Sequence, residues 1–198
     1  MLLHPSLEKW RLFYEPYFES KNAVIDFVNR CEEIEPDSDK HVVKIMMHQT
    51  QRLVTIAKDM ALLHKHDDPL TLLFLLICAE NISKLFDDYN QDGKSKYYVI
   101  KFFNKFLSET DKELLERSFI VNNQCLPIEN IARQLYSIRC DVVHEGHYWS
   151  FSFSRDGIPI ITGGRGEEPI VTVKITMAQF RSIIIQGCIN AIESKYIL

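Results

Sequence analysis

At 198 residues, with 46% hydrophobic and 25% charged side chains, the chain is long and apolar enough to bury a real core and is not a disordered polymer. A net charge of −4 argues against a general nucleic-acid coat or a membrane-surface binder, though it leaves room for a local basic groove. The five cysteines are odd in number and form no CxxC pair, which argues against a disulfide framework or a zinc knuckle and points to a reducing, cytoplasmic compartment.

The first residues, MLLHPSLEKWR, show no positive leader with a long apolar run behind it, so no signal peptide is expected. Residues 1–36 read as an N-terminal helical extension. Leu7, Trp10, Leu12, Phe13, Tyr17 and Phe18, then Val24, Ile25, Phe27 and Val28, fall at helical spacing, with Pro16 breaking the run. Aromatics spaced this way are expected to be core. After the turn at 35–39, a long amphipathic helix is expected over about 39–65, carrying Val42, Val43, Ile45, Met46, Val54, Ile56, Met60 and Leu63. His64 and His66 near its end have no third ligand close by, so they read as a solvated helix end rather than a metal site.

Asp68 and Pro69 open the next helix, Asp as cap and Pro in the first turn. Its segment 70–79 (LTLLFLLICA) is too short to span a bilayer, which needs about 20 apolar residues. It is expected at the centre of a bundle in a soluble protein. Glu80 and Lys84, spaced i, i+4, follow on the same helix as a surface ion pair or as the wall of a polar cleft. Residues 90–93 are a turn. The helix behind it carries Lys94, Lys96, Lys101 and Lys105 among aromatics, a composition that suits a single-stranded nucleic-acid track. The same residues also describe a helix with Tyr98, Val99, Phe102, Phe103 and Phe106 buried and its lysines wet. Thr110 with Glu113 forms a capping-box pattern for a short helix through Arg117.

Residues 126–149 (LPIENIARQLYSIRCDVVHEGHYW) organise the rest. Pro127 suits a helix first turn, and Ile128, Ile131, Leu135, Ile138 and Val142 mark one apolar face. Gly146 ends the helix. Arg139 falls inside that apolar stripe, where a cation is costly unless an anion meets it. Asp141 or Glu80 is the candidate internal partner. Beyond it, 148–154 (YWSFSFS) alternates like a strand, 155–157 is a hairpin turn, 158–162 and 171–175 are further strands, and Thr176 with Gln179 caps a final helix over 177–195. The glycine loop 163–166 lacks the Lys-Ser/Thr ending of a phosphate-binding loop and reads as a hairpin tip.

Arg139, four intervening residues and His144, within LYSIRCDVVHEG on a late helix, resemble the HEPN superfamily, whose helical bundles carry an Arg-x4–6-His motif on their last core helix, and within it an Apea-like or related ribonuclease member. The likeness is most specific over 126–148 and extends in architecture from about 40. It implies a mainly α fold: an HEPN-like core over 37–147, then a small C-terminal antiparallel β-meander and final helix over 148–198, packed as one compact domain. It also implies a metal-independent, cofactor-free endoribonuclease working as a homodimer. His144 would be the acid or base, since a free imidazole titrates near pH 6.5. Arg139 would hold the scissile phosphate. Such members have a polar residue directly after the Arg; here that place is Cys140, with Asp141 next as a substitute. Glu80 and Lys84 resemble an acidic–basic element that some ribonuclease members carry on an earlier helix. RNA or a nucleotide, and a neutralising antitoxin protein, are the partners this resemblance implies. The alternative is a non-catalytic HEPN-like nucleotide- or RNA-binding or dimerisation module.

Overall fold

The computed structural model describes residues 7–38, 40–64, 67–89, 93–149, 151–162 and 171–197. Its chain order is α1 (Glu8–Tyr14), a 3-10 turn (Glu15–Tyr17), α2 (Lys21–Glu32), α3 (His41–Leu63), α4 (Asp68–Phe86), α5 (Ser95–Lys105), α6 (Glu109–Ser118), β1 (Phe119–Val121), β2 (Gln124–Cys125), α7 (Ile128–Glu145), β3 (Ile160–Thr162), β4 (Val171–Val173) and α8 (Met177–Ile197). The fold is mainly α with a small sheet, as expected. Pro16 sits in the 3-10 turn, where the first helix gives way. Ser20 then caps α2 by accepting the Ala23 N–H.

α4 is the hub. It packs against α3, α5, α7 and α8, and Leu72, Leu75, Leu76, Cys78, Ala79 and Ile82 are buried along it. By length and hydropathy alone it could cross a membrane, yet most of it is buried inside this bundle. Its cap is Asp67 rather than Asp68, with Pro69 in the first turn. The Asp68 carboxylate is spent elsewhere: it accepts the Phe153 N–H at 2.8 Å and lies 3.9 Å from the Arg155 guanidinium. α8 is equally integral, burying Ile184, Ile185, Cys188, Ala191 and Ile192. Thr176 and Gln179 form the expected reciprocal capping box at its start.

The sheet departs from a C-terminal meander. Its order is β2-β1-β4-β3, all antiparallel, so two of its strands precede α7. β1 and β2 are joined by Asn122 and Asn123, both with positive φ, the two-residue turn that fits strand twist. Residues 151–153 form no strand, because the Phe153 N–H goes to Asp68 and the Ser154 N–H to the Ile175 carbonyl. Their alternation still sorts the faces: Phe151 and Phe153 enter the core, with Phe153 tilted 5.0 Å from Phe180. The turn at Arg155–Ile158 forms as expected, with positive φ at Asp156 and Gly157. α6 starts two residues earlier than Thr110 suggests, capped by Ser108 accepting the Asp111 N–H. The glycine loop 163–166, His66 and 90–92 lie outside the described residues.

The N-terminal helices are tied on by a polar cluster as well as by Tyr14 and Phe27. Glu32 of α2 takes an ion pair from Lys44 at 2.9 Å and one from His48 of α3, whose ring stacks on Trp10 at 4.5 Å. Burial alone would push the Glu32 carboxyl up; the hydrogen bonds and charges of Lys44 and His48 outweigh it and hold the carboxyl below its ordinary value of 4.5. A carboxyl lowered in the fold stabilises it above its ordinary range, and that contribution disappears as pH falls through the lowered value. Glu32→Gln is therefore expected to cost about 1.5–3 kcal/mol near pH 7. In urea melts the gap to wild type should shrink towards pH 3. A gap of equal size at both pH values would contradict this.

Candidate functional site

α7 begins behind Pro127, which has extended backbone and serves as N-cap; the Ile128 N–H is satisfied at 2.9 Å by Glu116 of α6. Ile131, Ala132, Leu135, Ile138 and Val142 are buried along one face. Gly146 ends the helix at φ +67, a backbone angle that favours glycine.

Arg139 lies at the edge of that buried face, its side chain 18% exposed, and meets α4 there. Its Nη2 is 3.7 Å from Glu80 Oε2, beyond hydrogen-bond range, while Lys84 Nζ approaches Glu80 Oε1 to 2.8 Å. The Tyr136 ring centroid is 5.4 Å from the guanidinium carbon, a cation–π distance. Burial first, then the neighbouring Cys140 thiol, raise the Tyr136 phenol. Of the two internal partners the sequence offers, Glu80 is the acid Arg139 faces. Asp141 is half-buried and about 200° around an ideal helix from Arg139. Its backbone carbonyl accepts N–H groups from Gly146 and His147.

The charge balance of this seam matters most. One carboxylate stands between two cations, so the trio Lys84–Glu80–Arg139 carries one net positive charge. Among the described residues the guanidinium donates no hydrogen bond, although it has five N–H groups to give.

His144 is exposed, near the end of α7, and makes no hydrogen bond or ion pair among the described residues. On an ideal helix it lies about 140° around and roughly 7.5 Å along from Arg139. One chain alone does not converge the two groups.

The four lysines belong to α5 and its N-cap. Lys101 is paired with Asp87, just past the end of α4, and Lys105 lies 3.9 Å over the Phe86 ring. Lys94 is 5.5 Å from the Tyr89 ring, and Lys96 is exposed. Tyr98, Val99, Phe102, Phe103 and Phe106 are buried as core, while Tyr97 is exposed beside the lysines. The structure thus brings Arg139, Glu80 and Lys84 together at one seam.

Two aromatic residues escape the sequence argument. Tyr148 and Trp149, which look like the start of a strand, are exposed just beyond Gly146. Their signal is the His-Tyr-Trp run immediately after a helix-ending glycine. No group of three or more His, Cys, Asp or Glu among the described residues is arranged to hold a metal ion. All five cysteines are free thiols. Compared with known protein families, curated proteins and solved structures, the chain matches none.

Proposed function

We propose that a homodimer of this chain cleaves single-stranded RNA in the cytoplasm, with Arg139 on the scissile phosphate and His144 as general acid or base. The observation that carries this reading is the seam between α4 and α7, where Glu80 is shared by Lys84 and Arg139 and guanidinium donors are left for an anion. A bidentate contact to phosphate suits those donors. Twofold symmetry supplies what one helix lacks, two copies of each group around a shared cleft. One imidazole takes the proton of a ribose 2′-hydroxyl as that oxygen attacks phosphorus. His144 of the partner subunit returns a proton to the departing 5′-oxygen. The products are a 2′,3′-cyclic phosphate and a 5′-hydroxyl. An RNase of this kind in a defence or toxin–antitoxin setting would need a neutralising partner protein.

The test is direct. Purified protein incubated with a panel of single-stranded RNAs in EDTA should yield cyclic-phosphate ends. No cleavage across the panel, by a protein shown to be dimeric, would overturn the nuclease. Two observations favour a second, non-catalytic reading. Cys140 follows Arg139 directly and Glu80 already lies 3.7 Å from the guanidinium. In that case RNA or nucleotide binds at Arg139 in a salt-dependent way and is never cut.

A further inference from the structure

Past Gly146 the chain exposes a small aromatic surface that the core does not use. Trp149 is 65% exposed and Tyr148 39%. The Trp149 ring meets His147 at 5.2 Å and Tyr148 at 5.4 Å, with interplanar angles of 66° and 74°. Both contacts are edge-to-face pairs rather than parallel stacks. The ring is braced by two neighbours, and its 65% exposure leaves open surface for something planar.

Its position gives that face a meaning. Trp149 follows His144 by five residues, which bounds their separation at about 18 Å even for fully extended chain. Gly146, at φ +67, turns the chain between them. The nearby carboxylate of Glu145 is engaged by His147 at 2.9 Å. An exposed indole this close to His144 suits a planar, polarisable partner better than an aliphatic protein surface does.

We propose that Trp149, braced by Tyr148 and His147, is a stacking platform for an unpaired base of the RNA whose phosphate Arg139 holds. This rests on the RNA reading above and deepens it: the platform selects single-stranded over duplex RNA, because a paired base has no free face to offer. Stacking of this kind tolerates any base, so the preference is for strandedness rather than sequence.

The full-length chain carries two tryptophans, which makes the platform measurable. Trp10 is stacked on His48, and Trp10→Phe isolates the Trp149 fluorescence. A 2′-O-methyl oligouridylate, which lacks the attacking hydroxyl, serves as an uncut probe. Adding it should quench Trp149, and a duplex of the same length should not. Trp149→Ala should weaken binding about 5- to 150-fold, and Trp149→Phe should recover most of it. Cleavage by wild type with no quenching, and with Trp149→Ala binding as tightly, removes the platform and leaves the nuclease. Quenching without any cleavage of ordinary RNA keeps the platform and removes the nuclease. A Trp149→Ala protein that falls from dimer to monomer in sedimentation shows the rings to be a subunit contact, and the proposal fails.

Discussion

His144→Ala is expected to slow RNA cleavage by about 100- to 10,000-fold, the usual worth of a positioned acid or base. Stability should barely move. The imidazole is exposed and bonds to nothing among the described residues, and surface changes of that kind stay within about 0.5 kcal/mol. That separation of activity from stability is what makes the substitution informative. Arg139 offers no such clean cut, because its guanidinium also faces Glu80 and the Tyr136 ring. Arg139→Ala therefore removes the proposed anion site and alters the α4–α7 seam together. Cleavage rates in EDTA, with thermal melts on the same samples, would distinguish the two variants. A His144→Ala protein that cuts RNA as fast as wild type would end the catalytic role of this residue.

How much of this could be foreseen differs from element to element, for physical reasons. α3 and α7 were legible because burying one face imposes a three-to-four spacing that a long helix repeats; α4 and α8, buried nearly all round, were legible from their starts, Asp68-Pro69 and Thr176 with Gln179. Arg139 was legible for the opposite reason, as a cation inside a stripe that should be apolar. Which acid it faces was not, because Glu80 and Asp141 satisfy the same composition and only α4–α7 packing decides between them. The sheet was hardest. β1 and β2 are three and two residues long, too short for alternation to show, and only the Asn122-Asn123 pair marked their turn. Residues 151–154 had the alternation but not the strand. A carboxylate 85 positions earlier in the chain takes a backbone N–H there, and no local pattern encodes that. The contacts of the α5 lysines were hidden for a related reason: Lys101 meets Asp87 and Lys105 the Phe86 ring, both at the end of the neighbouring helix.

Gly187 is the residue at which the core should be least forgiving. It lies in the middle of α8, where glycine costs about 1 kcal/mol relative to alanine, so a helix alone would not choose it. Packing explains it. A β-carbon there would fall 2.8 Å from Leu107 Cδ2 and from Phe102 Cζ, and 2.9 Å from Phe102 Cε1. Phe102 cannot swing aside, being fully buried and set edge-on to Phe103 and Phe106. Overpacking typically costs about 1–3 kcal/mol, so the helix gain in Gly187→Ala is cancelled or exceeded. Gly187→Val brings two further methyls and less helix propensity, and should cost about 2–3 kcal/mol. For a chain of this size that is a fall of roughly 4–12 °C in Tm. The contact can be isolated by making room on the other side. Phe102→Leu shortens the ring that meets the new carbon, so the Phe102→Leu, Gly187→Ala double variant should lose less than the two single losses added together. Neighbours in direct contact usually couple by about 0.5–3 kcal/mol in such a cycle. Strict additivity would mean that α8 does not owe its glycine to Phe102, and that the approach of α8 to α5 is set by something else.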